Sequence, residues 1–447
     1  MSGFSWAVEQ WYGGGPVGYG RNNWRQVAGY AADFIPGGEV LLGTVDLVRG
    51  VNDSIGLSRL NYTKDGHPLV ELPWQPPGPP PNPQRAEAVG QQAWNLLFAD
   101  ETRYSARSLL DQVANLLVPL PPTELDMVVR RWGQQGLERW DDLTHVVDEH
   151  GEPAYDWRRQ AELFSWLLRA VSPYAAMLVG TWMVCSQPEY DPECDCADHG
   201  WVLPEGPFAK VDGAYFTQNW QRVSGSTDAM SWQDMDQGRF GTCWFLTSIQ
   251  GVIQANPQHA ARHLRLEANG TVTCTLYVEG RPVDITMVPD LPYGHSMLWC
   301  AKGHTDDARY AETWPGYYEK AAAKLRGGYE QISGGWVDDA FSLLTGREPQ
   351  PLDYHSPWLC HEAADRRARG QALAVGTWGK GNDREKLAGG RLAASHAYFV
   401  KDVDVAGGRI CLGNPWGDGA TRQMWECWLT LDEVRTYLNK FWAVETW

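Results

Sequence analysis

A glycine-rich turn that runs directly into an apolar helix is the feature of this sequence that most limits how the chain can fold. The turn covers residues 237–242, and the helix is predicted to begin at Cys243 with Thr242 as its N-cap. Apolar residues at helical spacing define its buried face, namely Phe245, Leu246, Ile249, Val252 and Ile253. In the first turn of a helix, unpaired backbone N–H groups and the helix dipole favour a thiolate, which is the nucleophilic form of cysteine.

Gln237 lies six residues before Cys243, across the same turn. Its side-chain amide and the backbone N–H of Cys243 are predicted to form an oxyanion hole. Taken alone, however, a cysteine and a glutamine in this arrangement are more often a core residue and a turn residue.

Two motifs far along the chain change that interpretation. His396 opens a predicted strand 153 residues after Cys243, and Asn414 closes another strand 18 residues later. Adjacent strands would bring both side chains to one point, where His396 would take the thiol proton and later protonate the leaving amine. The Asn414 amide oxygen would orient the imidazole, and Trp416 would shield that hydrogen bond from water.

In this order, Gln-Gly-x-x-Gly-x-Cys-Trp, His-Ala-Tyr and Asn-Pro-Trp-Gly resemble the calpain cysteine protease core. The resemblance covers about half of the chain. It implies an α+β, papain-like fold with a helical lobe followed by a β lobe, and endopeptidase activity on protein substrates. Gln237 matches the oxyanion position, and Cys243, His396 and Asn414 match the catalytic triad.

The resemblance also raises the question of calcium, because calpain cores bind two Ca²⁺ ions through carboxylates. Asp234 matches one such position, whereas Ser342 and Ala420 stand where acids are usual. Thr242 replaces the usual Asp before the nucleophile, which changes the local hydrogen bonding. Hard cations need several oxygen ligands, and no C2-like or penta-EF-hand domain is expected after the core. We therefore expect a calcium-optional enzyme, with Asp234 as the candidate ligand.

A run of prolines after residue 72 divides the chain, because proline lacks a backbone donor and restricts its predecessor to extended conformations. The sequence predicts a Gly- and Trp-rich segment at 1–72, a Pro-rich linker at 73–84, a helical bundle at 85–184, a connector rich in Cys and acidic residues at 185–230, and the protease domain at 231–447. Within that domain the first half is predicted to be mainly helical and the second half to contain the strands. The first segment loosely resembles the pre-toxin regions that precede bacterial toxin domains, which suggests a bacterial source.

The connector contains four soft metal ligands at short spacing: Cys185, Cys194, Cys196 and His199. A tetrahedral zinc site, a disulfide within the segment and free thiols are all compatible with them, although the spacing is not a common zinc pattern.

The formal net charge of −17 argues against a nucleic-acid partner, because no basic stripe is available to bind phosphates. The most apolar run, residues 171–185, is too short to span a bilayer and predicts a buried helix instead. The start of the chain does not resemble a Sec signal peptide. We therefore expect a cytoplasmic location in the producing cell, or export by a non-Sec system, with an inhibitor, an immunity protein or delivery machinery as partners of the N-terminal half.

The function predicted first is a cysteine endopeptidase that acts as an effector or toxin. A housekeeping or self-processing intracellular protease is an alternative. A thiol acyltransferase or transglutaminase ranks lower, because such enzymes commonly use Asp as the third member and this chain offers Asn414. An inactive scaffold is disfavoured by the intact set of four matching residues.

Overall fold

The structure is a computed structural model that describes residues 80–99, 105–148, 150–151, 153–183, 188, 200–202, 210–211, 214–215, 230–267, 269–294, 297–303, 312–379, 386–417 and 426–446. The predictions for segment 1–72 and for most of the connector therefore lie outside the described residues. Within these ranges, none of the helices has both the length and the apolar composition that crossing a bilayer requires.

The N-terminal part of the described chain is a helical bundle, in the segment where the sequence analysis placed one. Its helices are α1 (Pro83–Leu97), α2 (Ala106–Leu117), α3 (Pro122–Thr144), α4 (Trp157–Ala170) and α5 (Pro173–Trp182). Asn82 caps α1, because its side chain accepts the N–H of Arg85 at 3.1 Å. Pro83 therefore occupies the first helical position, where its missing N–H costs nothing. The predicted linker at 73–84 thus ends two residues early, and residues 83–84 belong to the bundle.

The chain after the connector begins with a lobe that combines helices and small sheets. The helices are α6 (Cys243–Ala255), α7 (His259–His263), α8 (Trp314–Arg326) and α9 (Val337–Thr345). The strands are β1 (Gly200–Val202), β2 (Lys210–Val211), β3 (Ala214–Tyr215), β4 (Leu264–Leu266), β5 (Val272–Val278), β6 (Arg281–Met287), β7 (Leu291–Gly294) and β8 (Met297–Leu298). They form the sheets β1-β7-β8, β2-β3 and β4-β5-β6. The sequence predicted a mainly helical lobe and missed these strands. Part of the predicted connector also belongs to this lobe, because β1 pairs with β7.

The second lobe is built on one antiparallel sheet with the strand order β15-β14-β13-β10-β16-β9. Its elements are β9 (Gln350–Pro351), α10 (Leu359–Ala368), β10 (Gln371–Thr377), β11 (Lys386–Leu387), β12 (Leu392–Ala393), β13 (Ala397–Asp404), β14 (Arg409–Gly413), β15 (Glu426–Thr430), α11 (Leu431–Tyr437) and β16 (Leu438–Glu445). The first lobe, called the helical lobe below, combines helices with small sheets, and the second lobe is built on one large sheet, which confirms the predicted α+β fold.

The two faces of the six-stranded sheet contact different partners. Ala372, Ala374 and Val444 join the core of the helical lobe, where α6 packs against β10 and β13. Leu373 and Val375 point the other way, into a second core with α10 and α11. The period-2 alternation of a strand produces this division. Since α6 lies against the sheet, the edge at which the lobes separate becomes a cleft beside the start of α6.

The helical bundle packs directly on the sheet β4-β5-β6, with α4 against β6. The Ser165 hydroxyl oxygen accepts the N–H of Thr286 at 2.8 Å. Asn269 is buried and donates its amide hydrogens to the carbonyls of Leu168 and Val171, each at 2.8 Å. Val288, from the protease half of the chain, is part of the bundle core. The bundle and the helical lobe are therefore joined by buried polar and apolar contacts.

Candidate active site

Cys243 is the first residue of α6, as the turn and the apolar periodicity predict. The preceding turn approaches a neighbouring loop so closely that a Cβ on Gly238 would lie 2.0 Å from the carbonyl oxygen of Trp299. Only glycine fits there. Thr242 is the N-cap residue, but its side chain makes no capping bond, because its hydroxyl donates to Glu319 instead. The N-terminal turn of α6 thus keeps backbone N–H groups beside the thiol.

Cys243 and His396 line the same cleft, which has a volume of about 270 Å³. Residues 334–337 form its wall on the helical lobe, and residues 376–377, 395–397 and 439–440 form the wall on the sheet. Gly335 keeps the first wall flat, since a Cβ at that position would lie 2.5 Å from the Trp244 ring. The structure therefore brings the predicted nucleophile and base to one solvent-accessible groove between the lobes.

His396 is held at the start of β13 by β10. The backbone N–H of His396 donates to the Thr377 hydroxyl at 3.0 Å, and the backbone carbonyl of His396 accepts the backbone N–H of Thr377 at 2.9 Å. Asn414 directly follows β14, and β13 pairs with β14 so that Phe399 lies opposite Gly413. The beginning of one strand and the end of the next therefore lie side by side. This register places the two side chains together although 18 residues separate them.

His396 Nε2 lies 2.9 Å from Asn414 Oδ1. The backbone N–H of Trp416 donates to the same oxygen at 3.1 Å, so that atom acts as an acceptor. Nε2 must then carry the hydrogen, and Nδ1 keeps a lone pair for the thiol proton. The Trp416 ring contacts the imidazole with centroids 4.5 Å apart, and its shielding of the hydrogen bond stays a prediction.

Burial controls the charge of both groups. Burial lowers the pKa of His396 to about 4, against the opposing effect of the Asn414 hydrogen bond. It also raises the pKa of the Cys243 thiol, although backbone N–H groups of Ala397, Trp244 and Cys243 itself act in the opposite direction. The sequence predicted that the helix start favours the thiolate; desolvation outweighs that contribution here. Each burial effect alone favours an uncharged thiol and an uncharged imidazole.

Gln237 is tied to the β lobe, because its backbone N–H donates to the carbonyl of Pro415 at 2.9 Å. Its side-chain Nε2 donates one hydrogen to the Phe240 carbonyl at 2.7 Å. The side chain does not line the cleft that holds Cys243 within the described residues. Its predicted oxyanion role therefore depends on the second amide hydrogen and stays a prediction.

Comparison with known proteins identifies the family of this core. The family model described as "Calpain family cysteine protease" matches residues 214–440, which is just over half of the chain. This chain belongs to the calpain family of cysteine proteases. The match begins at β3, inside the segment that the sequence assigned to the connector and before the predicted domain start at residue 231.

The calpain relatives include plant and animal proteins. The chain is 27% identical over 210 residues to "Calpain-type cysteine protease DEK1" of Zea mays, which covers 44% of this chain and 9% of that protein. It is 29% identical over 208 residues to Calpain-13 of Rattus norvegicus, and this match covers 43% of this chain and 30% of that protein. It is 28% identical over 227 residues to the Calpain-2 catalytic subunit of Bos taurus, and this match covers 46% of this chain and 32% of that protein. The chain thus matches at most about a third of the length of these relatives.

Both metal predictions stay open in the described part of the chain. The Asp234 carboxylate accepts the N–H of Ser231 at 2.6 Å, which stabilises a local turn. Within the described ranges, no three His, Cys, Asp or Glu side chains come together in a way that could hold a metal ion. These described residues do not assemble the carboxylate set that Ca²⁺ needs, and the calcium-optional activity stays a prediction. Cys185, Cys194, Cys196 and His199 lie outside the described residues, so the zinc prediction stays open too.

Sequence reasoning missed the role of Glu319. Its side chain is fully buried; one oxygen accepts the Thr242 hydroxyl, and the other accepts the N–H of Ala301 at 2.8 Å. Burial raises the pKa of this carboxyl to about 7. The available signal was an acid in the run that becomes helix α8 together with Thr242 beside the nucleophile, but only the fold shows that they meet.

Proposed function

We propose that this chain is a cysteine endopeptidase that cleaves protein substrates through Cys243, His396 and Asn414. The observation that carries the proposal is the shared cleft of Cys243 and His396, with the imidazole held by Asn414 at 2.9 Å. Membership of the calpain family supports the same reaction class. The amide of Asn414 supports a protease over the acyltransferase alternative, for which the sequence led us to expect an Asp.

In the first step, His396 Nδ1 removes the proton of the Cys243 thiol as a substrate carbonyl enters the cleft. The charged thiolate and imidazolium form together, so each offsets part of the desolvation of the other. The Nε2–H bond to Asn414 Oδ1 keeps the ring in the orientation and tautomer that this transfer requires. The thiolate then attacks the carbonyl carbon and forms a tetrahedral intermediate.

Two donors would stabilise the negative oxygen of this intermediate. One is the backbone N–H of Cys243 at the start of α6, and the other is the second amide hydrogen of Gln237. Such donors lower the reaction barrier because they stabilise the negative charge that develops on the carbonyl oxygen during the attack.

The imidazolium next gives its proton to the leaving amine, the peptide C–N bond breaks, and an acyl group stays on Cys243. Water enters the cleft, His396 removes one of its protons, and the resulting hydroxide attacks the thioester. The carboxylic acid product leaves and the thiol regains its proton from His396.

An active-site thiol reagent tests this assignment. Among the described free cysteines, Cys243 is partly exposed, whereas Cys274, Cys300, Cys360, Cys411 and Cys427 are buried. A peptidyl vinyl sulfone should therefore modify Cys243, as located by peptide mass mapping of the intact chain. His396→Ala should slow this labelling strongly, whereas Arg409→Gln on the surface of β14 should not change it. Labelling of one of the five buried cysteines in place of Cys243, or equal rates in the His396 variant, would argue against the proposed pair.

We also propose that the protease acts as an effector, although only the sequence supports this role. Expression of the full chain should then arrest growth of a susceptible cell, while the Cys243→Ala form should be tolerated. Equal tolerance of both forms would favour the housekeeping or self-processing alternative.

A further inference from the structure

The cleft that holds Cys243 and His396 also contains Lys440, the one lysine or arginine among the described residues that line it. Lys440 lies on β16, opposite Gly376 of β10. On the same face of β16, Trp442 and Val444 pack against the core of the helical lobe. The alternation of the strand therefore directs Lys440 toward the helical lobe, at the point where the two lobes separate. Its cross-strand neighbour is a glycine, which leaves the side chain room.

Trp336 lies on the opposite wall and holds the lysine amine at the cleft. The Lys440 Nζ is 3.8 Å from the centroid of the Trp336 ring. Trp336 directly follows Gly334 and Gly335 in the chain, and it is 53% exposed. The same wall of the cleft therefore offers a flat surface for an extended peptide and, beside it, an aromatic face. A cation over an indole face is a favourable contact that restricts the long lysine side chain.

The charge around Lys440 is unbalanced. Within the described residues, no carboxylate oxygen lies within 4.0 Å of its amine, and the lining of the cleft contains no Asp or Glu. Many other cations of the described chain are paired, as Lys401 is with Glu426. In a protein with a net charge of −17, the described lining of this cleft therefore carries a positive fixed charge. A ligand carboxylate would supply the missing partner.

We propose that Lys440 is a specificity-determining residue that selects substrates with an Asp or Glu side chain close to the scissile bond. The peptide lies along the Gly334–Gly335 wall with its carbonyl beside Cys243, and the acidic side chain reaches the Lys440 amine. This inference rests on the proposed endopeptidase function and names its substrate class: segments with an acidic residue near the cleaved bond.

Internally quenched peptides that differ only by Glu or Gln, at each of the four positions before the bond, test the proposal with the full chain. Wild type should cleave the Glu peptide with a kcat/KM roughly tenfold higher at one position, as expected for a hydrogen-bonded charge pair. The ratio should fall when NaCl is raised to about 0.5 M. Lys440→Met should reduce the ratio to near one. Lys440→Glu should reverse it, so that the Gln peptide is cleaved faster than the Glu peptide, and Lys440→Arg should keep it. Lys401→Met removes a charge from the same sheet outside the cleft and should also keep it.

Equal cleavage of the Glu and Gln peptides by wild type, or a Glu preference that survives in Lys440→Met, would overturn the proposal. Binding of the same peptides, measured by fluorescence anisotropy, separates this failure from failure of the proposed function. Preferential binding of the Glu peptide without cleavage would support Lys440 and reject the endopeptidase. Absence of preference in both assays would reject the role of Lys440 itself.

Discussion

Thr242, the residue immediately before the predicted nucleophile, donates its hydroxyl hydrogen to the buried carboxyl of Glu319. Glu319 in turn accepts the N–H of Ala301, so the start of α6, helix α8 and the loop at residue 301 meet at one carboxyl group. Thr242 stands where calpains usually have Asp. An Asp would place a second carboxyl against Glu319, whereas a hydroxyl can donate to it.

Glu319→Gln should change the pH dependence of stability. Because the folded-state pKa is raised from 4.5 to about 7, the folded protein holds this proton more tightly than the unfolded chain. The stabilisation that comes from the protonated Glu319 carboxyl is fully present below pH 4.5 and is lost as the pH rises through about 7. The variant lacks this loss. The free energy of unfolding of the variant minus that of wild type should therefore be roughly 3 kcal/mol larger at pH 8 than at pH 4.

Urea unfolding between pH 4 and pH 8 checks this shift. Exposed Glu330→Gln serves as the matched control and should show no such pH dependence. A Glu319→Gln effect of the same size at every pH would mean that the carboxyl is not protonated in the folded protein.

Asn414→Ala should lower kcat about 100-fold while KM changes little, because the imidazole loses the acceptor that fixes its tautomer and orientation. The measurement is steady-state peptide hydrolysis, together with a thermal melt that shows whether the variant is folded. A folded variant with wild-type kcat would contradict the proposed role of Asn414.

Asn269→Ala should destabilise the bundle and the helical lobe together. The substitution removes both donors from the buried carbonyls of Leu168 and Val171, which costs roughly 3 kcal/mol. Urea unfolding should show one transition, shifted to lower urea, by both tryptophan fluorescence and circular dichroism. Asn95→Ala on the exposed face of α1 is the matched control. Two separate transitions, with only the protease part affected, would contradict this coupling.

Calcium should not be required for cleavage. Asp234 is engaged in a turn with Ser231, and Ser342 and Ala420 stand where calpain cores usually have acids. Activity in EDTA should remain within about twofold of activity in millimolar Ca²⁺ under identical ionic strength. Loss of activity in EDTA with recovery on adding Ca²⁺ would overturn this expectation.

The sequence predicted the elements that carry the candidate site because local patterns define them. The turn at 237–242 and the apolar spacing after it placed the start of α6 at Cys243, where the structure has it. The strands predicted after His396 and before Asn414 correspond to β13 and β14. The contact between His396 and Asn414 was predictable because their motifs border strands that are consecutive along the sheet.

The strands of the helical lobe escaped prediction for a local reason. β5 and β6 are joined by a two-residue turn at Glu279 and Gly280, both with positive φ, 52° and 74°. Such turns usually contain Asn-Gly or Asp-Gly, and Glu-Gly is a weak signal. Alternation in Val272–Val278 was the remaining cue.

Glu319 and Lys440 could not be placed from the sequence, because their contacts depend on long-range packing. Glu319 meets Thr242 across 77 residues, and Lys440 meets Trp336 only after the two lobes have come together. The sequence identifies each residue type but not the face on which it lies.

Cleavage of casein by wild type and by Cys243→Ser tests the central claim most directly. The variant keeps the size of the side chain and replaces a thiol by a much weaker nucleophile. The account predicts that wild type cleaves casein and that Cys243→Ser, folded by its thermal melt, is at least about 1,000-fold slower. Cleavage by the serine variant at the wild-type rate would contradict it.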